Sequence, residues 1–114
     1  MTVKLKRVYD EFSKTDGNHI LVDRLWPRAL TKEKAHVDLW LKDVAPSTEL
    51  RKWFAHDPAK WPEFEIRYRA ELRQNPSQLA LLKQAAAKGP TTLLYGAKDE
   101  EHNEAVVLQK LLNP

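Results

Sequence analysis

In "ILVDRLWPRAL", residues 20–30, an apolar run breaks into Asp23 and Arg24, then Trp26-Pro27, then Arg28. Two arginines and an aspartate at the end of an interior strand point to recognition of charge. A planar guanidinium pairs bidentately with a carboxylate or phosphate, and a nearby aspartate can orient that arginine or act as a base. Side chains alternate along a strand, so Asp23 and Arg24 face opposite sides and each needs a different partner. The same arginines could equally tie loops to the sheet through acidic neighbours, and both readings stand at this level.

A second group follows another apolar run in "TTLLYGAKDEEHN", residues 91–103. Asp99 reads as a helix N-cap, with Glu100 and Glu101 in the first turn and His102 three residues after the cap. A histidine near a positive helix end is expected to favour neutral imidazole, fit to accept a proton or orient a ligand. Plain capping by His102 and Asn103 is the competing reading. The acidic first turn occupies the place a phosphate would take, so a bare helix-dipole phosphate site is not expected. Tyr68 and Tyr95 need hydroxyl partners, in a cleft or in the scaffold. Trp40, Trp53 and Trp61 recur at helical spacing with other apolar residues and are expected in the core.

The elements that must position these groups are legible as pattern. "VKLKRVYD" (3–10) alternates as a strand with one partly solvated flank, and "SKTDGN" supplies turn residues. "HILVDRL" (19–25) and "TTLLYGA" (91–97) read as strands buried on both faces, and Pro27 should end pairing in the former. Between them lie about sixty residues of helical pattern. Leu39, Trp40, Leu41 and Val44 suggest a short apolar turn. Ser47 caps a segment with Leu50, Trp53 and Phe54 on one face. Asp57-Pro58 opens a helix striped by Trp61, Phe64, Tyr68 and Leu72, Asn75-Pro76 opens another that ends at Gly89, and a last helix runs from Asp99 through Leu112.

Helices between buried strands signal a βαβ crossover. The expected fold is therefore a small three-layer, Rossmann-like α/β domain over 1–114, with a short, mostly parallel sheet of about three strands and about five helices. Only about ten residues separate the first two strands, which fits a hairpin more comfortably than a crossover and leaves their relative direction open. If the second and last strands are parallel, their carboxyl ends share the sheet edge at which ligands of open α/β sheets bind.

Counting excludes several chemistries. The 114 residues contain no cysteine, so disulfides, thiolate nucleophiles and iron–sulfur clusters are ruled out. His19, His36 and His56 show no ligand spacing, and neither a metal site nor a cofactor is predicted. There is no GxGxxG, Walker or GxSxG motif. Nineteen basic against 16 acidic residues give a net charge of +3 without a basic block, a weak basis for a nucleic-acid partner. "MTVKLKRVYDEF" lacks the apolar region of a secretory signal, and no run reaches membrane-spanning length, so a cytoplasmic protein is expected.

"ILVDRLWPRAL", "HVDLWLKDVAPSTELRKWF", "FEIRYRAEL" and "TTLLYGAKDEEHNEAVVL" together resemble the domain of unknown function 488 family, in its short YeaO-like branch, over nearly the whole chain. The resemblance implies a bacterial, cytoplasmic, Rossmann-like domain and transfers no established activity. Asp23, Arg24 and Pro27 match the family's Asp-Val-Arg-like element with its nearby proline, and Arg28 matches the branch. Asp99, His102 and Asn103 match the acidic residue and His-containing helix start after its last strand. Many relatives carry cysteines around that strand, and this chain does not.

The functional expectation is a small anionic ligand, phosphate-, nucleotide- or sugar-phosphate-like, held at the strand ends, with or without an enzymatic reaction. Arg24 and Arg28 would clamp the anion. Asp23 would orient Arg28 or serve as a base, and His102 with Asp99 would transfer protons. Trp26, Tyr68, Tyr95 and Asn103 would shape the pocket. The alternative is a non-enzymatic module that docks a protein or nucleic acid.

Overall fold

Each strand of the sheet runs parallel to its neighbours. In the computed structural model, which describes residues 3–113, β1 (Val3–Arg7), β2 (Asn18–Leu21), β3 (Leu39–Trp40) and β4 (Thr91–Tyr95) lie in the order β1-β4-β2-β3. Met1, Thr2 and Pro114, part of the expected 1–114 domain, fall outside the described residues. The helices are α1 (Lys32–Ala35), α2 (Thr48–Phe54), α3 (Trp61–Gln74), α4 (Pro76–Ala86) and α5 (Glu104–Leu112).

Side-chain alternation sends each central strand to two cores. Ile20 and Val22 on β2 and its extension, and Leu93 and Tyr95 on β4, enter a large cluster with Phe54, Phe64, Tyr68, Leu82, Val107 and Leu108 from α2 to α5. Leu21 and Leu94 face the other way, joining Val8, Ala35 of α1 and the flanks of Trp26 and Leu30. The molecule is thus a Rossmann-like three-layer α/β fold with one thick helical layer and one thin layer of loop and short helix. That asymmetry matters at the carboxyl edge. The chain leaving β2 turns to the thin layer and the chain leaving β4 turns to the thick one, so a crevice opens between adjacent strands.

Two expectations need correction, and one question the sequence left open is answered. The sheet has four strands, since Leu39 and Trp40 pair with Ile20 and Leu21 where an apolar turn was expected. The first two strands do not form a hairpin, because β4 lies between them and both run parallel to it. Ten residues suffice for this return: the strands are about 10 Å apart laterally, and an extended ten-residue chain reaches about 33 Å. Trp40 is 37% exposed, and Trp53 and Trp61 are only partly buried. Trp53 is flanked by cations, with the Arg67 guanidinium 4.2 Å and the Lys60 ammonium 5.2 Å from its ring centre.

The amino edge of the sheet is fastened by a polar network. Lys6 Nζ lies 2.6 Å and His19 Nε2 3.1 Å from Asp16 Oδ2, and His19 Nδ1 lies 2.8 Å from the His36 carbonyl oxygen. Burial alone would raise the Asp16 carboxyl, but the hydrogen bonds from Lys6, His19 and the Ser13 amide outweigh it and hold the group below the usual aspartate value. Because the folded value is the lower one, Asp16 contributes stability that is complete above its unfolded value of ~3.9 and is lost as the pH falls through the folded value. Asp16→Asn should therefore cost about 1–2 kcal/mol at pH 7 and flatten the acid limb below pH ~4. Urea melts of both proteins at pH 7 and pH 3 check this; equal losses at both would contradict it.

Candidate functional site

The cavity at this carboxyl edge has a volume of about 310 Å³ and is lined from four directions. The loop after β2 brings Asp23, Arg24, Trp26 and Arg28. The loop before α2 brings Ala45 and Pro46, and α2 and its end bring Arg51 and His56. The segment from β4 into α5 brings Gly96, His102, Asn103 and Glu104. Such a volume lies at the small end for small-molecule sites.

Asp23 explains why β2 ends early. Val22 still donates its amide to Leu94, but the next donor of β4, the Gly96 amide, is taken by Asp23 Oδ2 at 2.8 Å. A side chain thus replaces the backbone ladder, and pairing stops at Val22 well before Pro27. A Cβ on Gly96 would stand 3.0 Å from the same oxygen, so this close approach favours glycine there. The Asp23 carbonyl accepts from Trp40 Nε1 at 2.8 Å.

The three arginines differ in freedom. Arg24 donates to the carbonyls of Pro46 (3.2 Å) and Ala45 (3.1 Å), and its Nη1 lies 3.7 Å from Asp43 Oδ1. It ties the loop before α2 to the strand end while lining the cavity. Arg28 and Arg51 are exposed, and neither side chain makes a hydrogen bond or ion pair among the described residues. Arg28 instead offers its carbonyl to Tyr9 Oη at 3.1 Å.

On the opposite wall, the helix start is shifted from the expected one. Asn103, and not Asp99, caps α5, its Oδ1 accepting from the Val106 amide at 3.2 Å. Asp99 makes a separate turn, with Oδ1 accepting from the amides of Glu101 (2.9 Å) and His102 (3.1 Å). Its other oxygen accepts from His102 Nδ1 at 2.8 Å. A carboxylate can only accept, so Nδ1 carries the proton in that bond and Nε2 is the nitrogen left open. These bonds hold the Asp99 carboxyl below the usual aspartate range, the Glu101 amide most of all and His102 next. Trp61 meets the imidazole edge-on at 5.3 Å.

Glu104, the first residue of α5, was not foreseen. Its carboxyl is desolvated and within hydrogen-bonding reach of Asp23; burial first, then the Asp23 charge and the shared hydrogen bond, hold it well above the usual carboxylate range. Asp23 and Glu104 therefore form an interacting acid pair, in which the charged form of Glu104 is disfavoured. The signal that could have found Glu104 was the correct cap: once Asn103 is the N-cap, Glu104 is the first acidic residue of the helix. Arg51, midway along "TELRKWF", carries no sequence signal for a site.

Of the other residues expected at the site, Trp26, Arg28, His102 and Asn103 line the cavity together with Asp23 and Arg24, and Asp99 reaches it through His102. Tyr68 does not line it. It is fully buried in the main core with its hydroxyl donating to the Val44 carbonyl at 2.6 Å. Tyr95 is likewise buried in β4 and away from the lining. Among the described residues no group of three or more His, Cys, Asp or Glu is placed to hold a metal ion, and no helix is long and apolar enough to cross a membrane.

A parallel Rossmann-like sheet with a charged crevice where its loops diverge defines a small three-layer α/β protein. Within that class, the chain belongs to the domain of unknown function 488 family: the description "Inactive DUF488-N3 subclade" matches residues 2–114. It is 45% identical over 108 residues to YeaO of Escherichia coli K12, covering 95% of this chain and 94% of the relative. It is 39% identical over 111 residues to Rv3073c of Mycobacterium tuberculosis H37Rv and to Mb3100c of Mycobacterium bovis, covering 97% of this chain and 93% of each relative. All three bear the name "uncharacterized protein". No solved structure matches the chain.

Proposed function

We propose that this protein is a cytoplasmic binder of a small anionic ligand of phosphate or nucleotide type, held in the cavity at the carboxyl edge of β2 and β4. The observation that carries this reading is the charge lining the cavity. Three guanidiniums, Arg24, Arg28 and Arg51, stand against two acidic side chains, Asp23 and Glu104, and burial disfavours the charge of the latter. The two arginines whose side chains bond nothing among the described residues are the exposed ones, so an anion entering from solvent meets donors within reach. Arg24 braces the loop beside them, and Trp26 and Asn103 shape the wall. The Asp99–His102 pair presents an oriented imidazole. The subclade's description as inactive favours binding over turnover, with His102 as a ligand-orienting group.

A thermal-shift titration with orthophosphate and nucleoside monophosphates tests the reading. Ligand at a hundredfold excess over Kd stabilises a protein by about 2.7 kcal/mol, a rise of several degrees in Tm. The rise should vanish in Arg28→Ala/Arg51→Ala, whose exposed side chains contribute little to folding. A rise of the same size in the double variant, or none in the wild type with any anion, would sink the proposal.

A further inference from the structure

The cavity has two chemically distinct sides, and the anion-binding reading above accounts for only one of them. The cationic side is exposed, with Arg28 and Arg51 facing solvent. The other side is the Asp23–Glu104 pair, which no arginine clamp requires and which lowers the cavity's attraction for a simple anion. Asp23 is anchored: one oxygen accepts the Gly96 amide at 2.8 Å, fixing the carboxylate against the sheet edge. Glu104 is fixed at the first turn of α5, behind the Asn103 cap. The two side chains come from elements on opposite sides of the crevice and line the same cavity.

We propose that Asp23 and Glu104 are specificity-determining residues that receive the hydroxyl groups of a sugar, so that the ligand is a sugar phosphate whose phosphate lies toward Arg28 and Arg51. Carboxyl oxygens accept from the hydroxyls of a sugar, whereas a bare phosphate sets its own negative charge against the acidic pair, so adjacent hydroxyls complement Asp23 and Glu104 where orthophosphate does not. Phe54, Phe64 and Pro27 supply apolar wall against which a sugar ring can lie. A cavity of about 310 Å³ suits a phosphorylated pentose better than a dinucleotide. The proposal rests on the anion-binding reading and adds what selects among anions.

Isothermal titration of the full-length protein with orthophosphate and, separately, with ribose 5-phosphate tests it. In the wild type ribose 5-phosphate should bind at least tenfold more tightly than orthophosphate. In Glu104→Ala the ratio of the two affinities should fall to near one, and Glu104→Gln, which keeps an acceptor oxygen, should recover most of the preference. A readout that needs no variant is the Gly96 amide resonance, which should shift with ribose 5-phosphate and stay in place with orthophosphate. Equal wild-type affinities, or a ratio preserved in Glu104→Ala, overturn the sugar-phosphate assignment while leaving anion binding intact. Absence of binding by both compounds would instead overturn the anion reading beneath it.

Discussion

Tyr68→Ala should lose about 4 kcal/mol, the range measured when a fully buried aromatic is cut to alanine. Tyr68 is buried between α3 and the sheet, beside Phe64 at 5.9 Å, and its hydroxyl ties α3 to the Val44 carbonyl ahead of α2. Burial raises its phenol well above the ordinary value, so the hydroxyl stays a donor throughout the accessible pH range. Tyr68→Phe separates the two contributions. It keeps the ring and leaves one buried carbonyl short of a partner, at a cost of about 1–2 kcal/mol. The sequence placed Tyr68 as a pocket residue, and the fold makes it a scaffold residue. Chemical denaturation should therefore show the Tyr68→Phe loss while the ligand-induced shift in Tm stays at the wild-type size. A loss of ligand response without a loss of stability would return Tyr68 to the site.

Gly17→Ala should be about as damaging, at about 3 kcal/mol or more, the upper end for single substitutions. Gly17 has φ +71°, where a side chain is strained, and a Cβ there would stand 2.2 Å from the Pro90 carbonyl oxygen. That oxygen accepts from the Asn18 amide at 2.8 Å, the first bond joining the start of β2 to β4. The alanine methyl cannot be accommodated by a side-chain rotation, because the obstacle is backbone. The loss should appear as a fall in the denaturation midpoint, with amides at the amino ends of β2 and β4 losing hydrogen-exchange protection first. Wild-type stability in Gly17→Ala would mean that the turn before β2 can rebuild without its contact to Pro90.

What was legible in the chain follows from how local each signal is. The two central strands could be read because both faces are covered, so "ILV" and "LLY" are unbroken apolar runs. The starts of α2 and of the turn into α3 were equally plain, with Ser47 accepting from the Leu50 amide at 3.1 Å and Asp57 from the Ala59 amide at 3.0 Å. β3 was hidden because its two residues are an exposed edge held by a neighbour distant in the chain, and nothing in "DLWLKD" marks that pairing. The direction of β1 against β2 could not be read for a related reason: the strand that separates them lies some seventy residues downstream.

The site was half legible. Asp23, Arg24 and Arg28 announce themselves because charge at the end of an apolar run is costly without a purpose. The opposite wall was misread by one feature. Asp99 and Asn103 are both residues that cap helices, four positions apart, and the acidic pair after Asp99 made it the better candidate on local rules. The structure assigns Asp99 to an isolated turn that steers His102, and gives the cap to Asn103. That shift of four residues brings Glu104 to Asp23. Arg51 reaches the cavity only through the packing of α2 against α3, a tertiary fact with no local trace.

The central claim is that the cavity between the ends of β2 and β4 is an anion site, and its most direct test is amide chemical-shift mapping during a titration with orthophosphate. An anion seated there gives one saturating set of shifts confined to residues 24–28, 45–51 and 97–104. Shifts scattered over the outlying lysines, such as Lys32, Lys34 and Lys88, with residues 24–28 and 97–104 unmoved, would contradict it.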